Sequence, residues 1–126
     1  RAGPHVEFLG RRSNEEIRAL YQRAAFAMLP GEEDFGIVPV EAQACGRPVI
    51  AYARGGALDT VIPGETGTLV DEPSAAAFAD AIAQTLTHPF DSGHIRRLAE
   101  RFGRERFGDE MTALVNDTLV KGPATW

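Results

Sequence analysis

The chain has 126 residues, of which 44% are hydrophobic and 25% charged, values that fit one folded domain and exclude a disordered segment. Its formal net charge of −5 argues against nucleic acid as a partner, because nucleic-acid-binding domains carry a basic surface. A single cysteine excludes an internal disulfide. The sequence shows neither a signal-peptide pattern nor an apolar run of the roughly 20 residues that span a membrane. We therefore predict a soluble, cytoplasmic protein.

The N-terminal part of the chain predicts one strand and one capped helix. The sequence begins with RAGP rather than with methionine, and we predict that it is a fragment of a longer protein. Residues 5–10 alternate polar and apolar side chains and stop at a glycine, which predicts a short strand. Ser13 and Glu16 have the spacing of a capping box, in which each side chain satisfies the backbone amide of the other residue. The helix behind this box has one apolar face, formed by Ile17, Leu20, Tyr21 and Ala24.

Three short apolar segments predict further strands. Residues 26–29 form a continuous apolar run closed by proline and glycine, which is typical of a strand buried on both faces. Residues 48–52 and 68–70 are the other two segments, and residues 63–67 between them have the composition of a turn.

Three amphipathic patterns predict helices in the C-terminal half of the chain. The first begins at Pro73 and Ser74, and its apolar face consists of Phe78, Ala81, Ile82, Thr85 and Leu86. The apolar positions of the second are Ile95, Leu98, Ala99 and Phe102, and those of the third are Phe107, Met111, Leu114, Val115 and Leu119.

Short strands that alternate with helices predict an α/β fold, a Rossmann-like parallel sheet with helices on both faces. Ligands of such sheets bind outside the carboxyl ends of the strands. We therefore predict the functional site at three loops, formed by residues 30–36, 53–57 and 63–67.

Residues 31–42 (GEEDFGIVPVEA) carry the strongest functional signal. Gly36 allows a tight loop, after which a helix is predicted to begin near Ile37 or Val38 and to run to Cys45. Pro39 fits the first turn of this helix, where its missing amide costs no hydrogen bond. The free amides and the dipole at the start of the helix suit an anion such as a diphosphate.

Two carboxylates of this segment are the candidate ligand-binding side chains. Glu33 is predicted in the loop before the helix and Glu41 about one turn inside it, so that they line opposite ends of one elongated ligand. If both were helical, about 12 Å of rise would separate them, whereas glycosidase carboxyl pairs lie roughly 5 to 9.5 Å apart. On charge alone, a solvated acidic loop and a surface role for Glu41 remain the alternatives.

Four motifs in one order resemble a known protein family. Glu33 and Glu41, with FGI between them, resemble the E-x7-E signature of the retaining glycosyltransferases of family 4, which have the GT-B fold. Three further segments are similar to motifs of that family: EAQACGRPVI (41–50) to E-A-x-A-x-G-x-P-V-I, GGALDTV (55–61) to G-G-x-x-E-x-V, and GETGTLV (64–70) to G-x-T-G-x-L-V. The resemblance is close over roughly residues 5–87 and loose over the rest, and its E-x7-E segment is most similar to bacterial mannosyltransferase-like members.

The resemblance implies that residues 1–126 are part of the C-terminal, nucleotide-sugar-binding domain of a GT-B enzyme, which transfers a sugar from a GDP- or UDP-sugar with retention at the anomeric carbon. It implies that Glu33 is the catalytic residue, beside the donor sugar hydroxyls, and that Glu41 accepts hydrogen bonds from the ribose. Backbone amides of residues 35–37 would meet the sugar and the distal phosphate. The other donor-binding residues that it implies are Phe35, Gly36, Ile37, Val38, Gly55, Gly56, Thr66 and Gly67.

The resemblance also implies parts that would precede Arg1. These are the first strand-helix unit of the domain, with a paired Arg and Lys for the phosphates, and an N-terminal domain for a glycan or lipid-linked glycan acceptor. For the 126 residues alone we therefore expect weak donor binding and no detectable transfer. Asp59 stands where the family usually has glutamate, so no role is carried over to it. We predict no cofactor and no metal, since the sequence has neither a D-x-D motif nor histidines at ligand spacing.

Two other functions are weighed against this one, namely a non-catalytic module that holds a nucleotide sugar and a related GT-B nucleotide-sugar epimerase. The presence of both Glu33 and Glu41 favours the transferase over either alternative. The closing helices carry a basic stretch interspersed with Glu100 and Glu105, for which we predict an ion-paired, solvated face, with peripheral contact with anionic lipid at the inner face of the membrane as the alternative. The arginines of this stretch are Arg96, Arg97, Arg101, Arg104 and Arg106.

Overall fold

The computed structural model of the chain describes residues 2–122, in which a three-stranded parallel sheet is covered by helices. The strands are β1 (Ala27–Leu29), β2 (Val49–Tyr52) and β3 (Gly67–Val70), and they lie in the order β1-β2-β3. Ile50 in the central strand is paired with Met28 on one side and Thr68 on the other. The predicted α/β fold with a parallel sheet is confirmed.

Within residues 2–122, six α-helices and one 3₁₀ turn accompany the sheet. They are α1 (Asn14–Arg23), α2 (Ile37–Ala44), α3 (Ala57–Thr60), α4 (Ala75–Thr87), α5 (Ser92–Ala99), the 3₁₀ turn Glu100–Phe102 and α6 (Arg104–Lys121). All five predicted helices are present, whereas α3, at four residues, is too short to leave a periodic signal and was not predicted. None of the helices within residues 2–122 combines the length and the apolarity needed to cross a bilayer.

The core has two layers, one on each face of the sheet. Val49 and Ala51 of β2 point to the first layer, where they pack with Leu29 and Ala42. Ile50 points to the second layer, where it packs with residues of β3 and α4. Because successive side chains of a strand alternate between faces, these three consecutive apolar residues of β2 serve both layers. Helices therefore cover both faces, as predicted.

The capping box predicted at the start of α1 is confirmed. The Glu16 amide donates to Ser13 Oγ at 3.2 Å, and the Ser13 amide donates to Glu16 Oε2 at 2.8 Å. Two amides that the helix cannot satisfy internally are thus paired, which fixes where α1 begins.

Residues 5–10 do not form the predicted strand. They have no regular secondary structure, and Val6 and Phe8 are 56% and 85% exposed. A strand needs a neighbour to pair with, and within residues 2–122 the only strand paired with β1 is β2. The alternation of two apolar side chains does not provide such a partner.

The predicted burial of β1 on both faces is also wrong. Leu29 is buried, but Met28 is 46% exposed. Met28 shares its face of the sheet with Ile50, and the helix on that face, α4, packs on β2 and β3. The edge strand is therefore left uncovered on this side.

Two predicted apolar faces reach solvent where their helices extend beyond the core. Leu86, near the end of α4, is 60% exposed, while Phe78, Ala81 and Thr85 of the same face are buried. On α6 no residue is buried, and the whole predicted apolar face, from Phe107 to Leu119, is exposed. The periodicity predicted both helices correctly. No other part of residues 2–122 covers Leu86 or the apolar face of α6.

Candidate functional site

Two of the predicted site loops meet at the carboxyl edge of the sheet. Residues 30–36 follow β1, and residues 53–56 follow β2, so the parallel pairing brings both loops to the same edge. The Gly56 amide donates to the Glu33 carbonyl oxygen at 2.7 Å and joins the loops directly. The structure thus brings together the E-x7-E segment and the Gly-Gly segment, which the sequence separates.

Gly55 and Gly56 make this contact possible. A Cβ atom on Gly55 would lie 2.2 Å from the Glu33 carbonyl oxygen, and one on Gly56 would lie 2.1 Å from the Phe35 carbonyl oxygen. Both distances are far below van der Waals contact, so any side chain here would push the loops apart. The observed role of both glycines is close backbone packing, which positions the loop that carries Glu33.

The first two residues of α2 are exposed to solvent, whereas Gly36 before them is buried. Gly36 precedes the helix with φ 76° and ψ 90°, and no side chain caps the helix. Ile37 is 65% exposed, and within the described part of the chain neither its amide nor that of Val38 donates to a protein acceptor. With Pro39 third in the helix, this first turn presents two free amides and the positive end of the helix dipole. The predicted helix start and the predicted end at Cys45, which is the C-cap residue, are confirmed.

Glu33 and Glu41 occupy the elements predicted for them. Glu33 is exposed in the loop, with its carboxylate beside Gly36, where a Cβ atom would lie 3.6 Å from Glu33 Oε2. Glu41 is exposed in the second turn of α2, and Tyr21 Oη donates to its Oε2 at 3.5 Å.

A cavity of about 580 Å³ lies between α1, α2 and α5. Its wall includes Asn14, Ile17, Arg18, Tyr21, Glu41 and Arg96. Two arginines, Arg18 and Arg96, thus line the cavity together with Glu41. Glu33 does not line this cavity but stands at the loop junction, so the placement of both carboxylates around one ligand stays a prediction.

The third predicted site loop, residues 63–67, lies at the amino-terminal ends of the strands, opposite the loops that follow β1 and β2. It precedes β3, and because all pairings are parallel it stands beside the start of β2, not beside the loops that follow β1 and β2. The prediction that all three loops lie at the carboxyl ends is therefore wrong for this turn. The residues of a segment predict that it is a turn. In a parallel sheet, the end of the strands at which the turn lies depends on whether it precedes or follows a strand.

Thr66 and Gly67 have structural roles in this turn. Thr66 is fully buried, and its Oγ1 accepts a hydrogen bond from the Ile62 amide at 2.8 Å. A Cβ atom on Gly67 would lie 2.0 Å from the Val49 carbonyl oxygen, so glycine permits the close approach of β3 to β2. Their predicted donor contacts would require a ligand at the other end of the strands, and we leave both residues out of the proposed site.

Two histidines hold the same turn from outside. His88 Nε2 lies 3.0 Å from the Gly64 carbonyl oxygen, and His94 Nε2 lies 2.8 Å from Glu65 Oε2. Among residues 2–122, no three His, Cys, Asp or Glu side chains are grouped so that they could hold a metal ion. The absence of a metal from the chemistry stays a prediction.

The sequence did not predict a series of buried hydrogen bonds that lies beneath the contact between the two site loops. Gln43 of α2 is fully buried, and its Nε2 donates to the Thr60 carbonyl oxygen at 2.8 Å. Thr60 Oγ1 in turn donates to the Gly56 carbonyl oxygen at 2.8 Å. These bonds connect α2 to the Gly-Gly loop. The available signal was the position of Gln43, one helical turn after Pro39 on the inward face of α2.

The 3₁₀ turn Glu100–Phe102 supports the loop through aromatic contact. Phe35 and Phe102 meet edge to face with ring centroids 5.9 Å apart. The Arg101 guanidinium lies 4.6 Å from the centre of the Phe102 ring, and its Nη2 donates to the Asp59 carbonyl oxygen at 3.0 Å. From the sequence, Arg101 and Phe102 were assigned only to the faces of the predicted C-terminal helices.

The predicted ion pairs of the basic stretch are largely wrong. Within the described ranges neither Glu100 nor Glu105 forms a salt bridge, and Arg106 pairs with Glu110 at 2.6 Å. Arg106 and Glu110 lie four residues apart within one helix, α6, whereas Gly103, in extended backbone, separates Glu100 from Arg104 and Arg101 from Glu105. Contact with anionic lipid stays a prediction.

Comparison with known proteins gives a consistent family match. The family model described as "Glycosyl transferases group 1" matches residues 1–106. The D-inositol 3-phosphate glycosyltransferase of Corynebacterium aurimucosum is 46% identical over 82 residues, which are 64% of this chain and 20% of that protein. The protein of the same name from Corynebacterium glutamicum is 38% identical over 122 residues, which are 91% of this chain and 29% of that protein.

A solved structure shares the fold. Sucrose-phosphate synthase from Thermosynechococcus elongatus superposes with a TM-score of 0.76 at 36% identity, over 95% of this chain and 32% of that protein. The chain thus spans between 20% and 32% of the length of these three relatives.

Proposed function

Because this chain belongs to the glycosyl transferases group 1 family, with the α/β fold of part of a GT-B enzyme, we propose that it is the donor-binding domain of a retaining glycosyltransferase. The donor is a sugar linked to a nucleoside diphosphate, either GDP or UDP. The observation that carries the proposal is the exposed first turn of α2, where the free amides of Ile37 and Val38 follow Gly36 and the Glu33 carboxylate lies beside that glycine.

The diphosphate is bound at the first turn of α2. The amides of Ile37 and Val38 donate to its oxygens, and the helix dipole adds a favourable potential for the negative charge. The left-handed backbone of Gly36 lets the phosphate approach the main chain closely. Phe35, supported by Phe102, and the Gly55–Gly56 loop complete the walls on the sugar side.

The two carboxylates bind the two ends of the donor. Glu33 contacts the hydroxyls of the sugar near the anomeric carbon, and Glu41 accepts from the ribose hydroxyls. In the reaction, the bond between the anomeric carbon and the diphosphate oxygen breaks, the acceptor hydroxyl oxygen bonds to the same carbon, and the hydroxyl proton passes to the departing diphosphate. The first turn of α2 stabilises the negative charge that develops on the departing diphosphate.

The acceptor, a glycan or a lipid-linked glycan, is held by parts of the polypeptide other than these residues. We expect the 126 residues alone to bind GDP and UDP weakly and to transfer no sugar, because α2 supplies only some of the contacts that a donor needs. Calorimetric titration and an assay of sugar transfer from GDP- and UDP-sugars test this expectation, with circular dichroism as the check that the chain is folded. Measurable transfer by the 126 residues would contradict it.

The same assays on the full polypeptide that carries these residues separate the possible functions. Retention of the anomeric configuration in a transferred sugar supports the proposal. Nucleotide-sugar binding without any turnover indicates a non-catalytic module, and conversion of the donor sugar without an acceptor indicates an epimerase. Either of these two results would overturn the proposed transferase.

A further inference from the structure

The contact between Tyr21 on α1 and Glu41 on α2 has no part in the function proposed above. Tyr21 Oη donates to Glu41 Oε2 at 3.5 Å, across two helices that are far apart in the sequence. Burial, and after it the charge and the hydrogen bond of Glu41, raise the pKa of Tyr21. A phenol with its ordinary pKa of about 10 is already protonated at neutral pH, so the hydroxyl is available as a donor to the carboxylate.

Tyr21 is held more firmly than the residue that it contacts. Its ring is partly buried and packs against the core layer that contains Leu29 and Ala42. The capping box fixes the start of the helix that carries it. Glu41 is exposed, and without a partner its side chain would be free to sample several rotamers. A fixed donor selects among these rotamers.

The bond leaves half of the Glu41 carboxylate available. Only Oε2 bonds to Tyr21, and no side chain or amide among residues 2–122 donates to Oε1. Glu41 and Tyr21 both line the cavity between α1, α2 and α5, together with Arg18 and Arg96. Glu41 is thus part of the wall of a cavity that two arginines also line.

We infer that Tyr21 is a positioning residue, whose hydroxyl holds the Glu41 carboxylate in the orientation that accepts hydrogen bonds from the ribose hydroxyls of a nucleotide. The inference rests on the proposed function, in which Glu41 binds the ribose. It adds a residue that does not itself touch the nucleotide to the set that decides ribose recognition.

Tyr21→Phe in the full polypeptide tests this inference. The variant keeps the ring on the core, so thermal unfolding is expected to stay close to that of the unchanged protein. We expect the variant to bind GDP or UDP about fivefold more weakly than the unchanged protein does. The 2′,3′-dideoxy form of the same nucleotide is expected to bind to both proteins with the same affinity, because it offers no ribose hydroxyls to Glu41. Tyr52→Phe is the matched control, since Tyr52 packs on the opposite face of the sheet.

A double-mutant cycle separates positioning from a general structural effect. Tyr21→Phe combined with Glu41→Gln is expected to bind GDP or UDP no more weakly than Glu41→Gln alone. If Glu41→Gln lowers the preference for the ribonucleotide while Tyr21→Phe does not, the inference is overturned and the proposed function stands. If neither variant changes that preference, the ribose role of Glu41 fails and the inference fails with it.

Discussion

Replacing Glu33 by glutamine in the full polypeptide is expected to reduce sugar transfer by about a hundredfold or more and to change nucleotide affinity by less than about twofold. The carboxylate of Glu33 is exposed beside Gly36, at the sugar end of the proposed site, and its side chain makes no bond that holds the described fold together. The substitution therefore removes a contact with the reacting sugar and leaves the diphosphate contacts of α2 intact. Transfer rates at saturating donor, together with calorimetric titration of GDP and UDP, measure the two effects separately.

Asp34→Asn is the matched control for this substitution. Asp34 is the next residue in the same exposed loop and loses one negative charge in the same way. We expect it to keep transfer within about threefold of the unchanged protein, as is usual for a surface substitution. Equal losses in the two variants would mean that the charge of the loop, rather than the Glu33 carboxylate, supports transfer.

Gly67→Ala is expected to lower the free energy of unfolding by about 3 kcal/mol or more, or to prevent folding. A Cβ atom at this position would lie 2.0 Å from the carbonyl oxygen of Val49 and 2.9 Å from its amide nitrogen. Val49 is fully buried in the central strand, so it has no free space into which to move. The added methyl group would have to separate β2 from β3. Equilibrium unfolding in urea measures the loss.

Gly108→Ala is the corresponding control. Gly108 lies inside α6, and a Cβ atom there would meet no atom within 4 Å. Because alanine favours a helix over glycine, this variant is expected to be more stable by about 0.5 to 1 kcal/mol. Similar changes for the two glycines would contradict the explanation by close strand packing.

The elements of the fold that are specified by neighbouring residues were predictable. The three strands were located from short apolar runs bounded by proline and glycine, and α1 from the capping box of Ser13 and Glu16. The prediction of a strand at residues 5–10 was wrong because a strand is not specified by neighbouring residues alone. It forms only when another strand lies beside it, and a pattern of six residues does not show whether such a partner exists.

The site was predictable up to the point where distant segments meet. The loop position of Glu33 and the helix position of Glu41 followed from the glycine and the helix start between them. The bonds from Tyr21 to Glu41 and from Gln43 to Thr60 were not predictable, because they join residues 20 and 17 positions apart. The third loop was placed at the wrong edge, although its position before a strand of a parallel sheet already determined the edge.

The central claim is that a nucleotide diphosphate binds at the first turn of α2. Titration of the ¹⁵N-labelled chain with GDP and UDP, followed by amide chemical shifts, tests this claim directly and also detects weak binding. We expect the largest shifts at Gly36, Ile37 and Val38, smaller ones at Gly55 and Gly56, and none at Gly67 on the opposite edge of the sheet. Unchanged shifts at the start of α2, or shifts concentrated at the turn of residues 63–67, would contradict the claim.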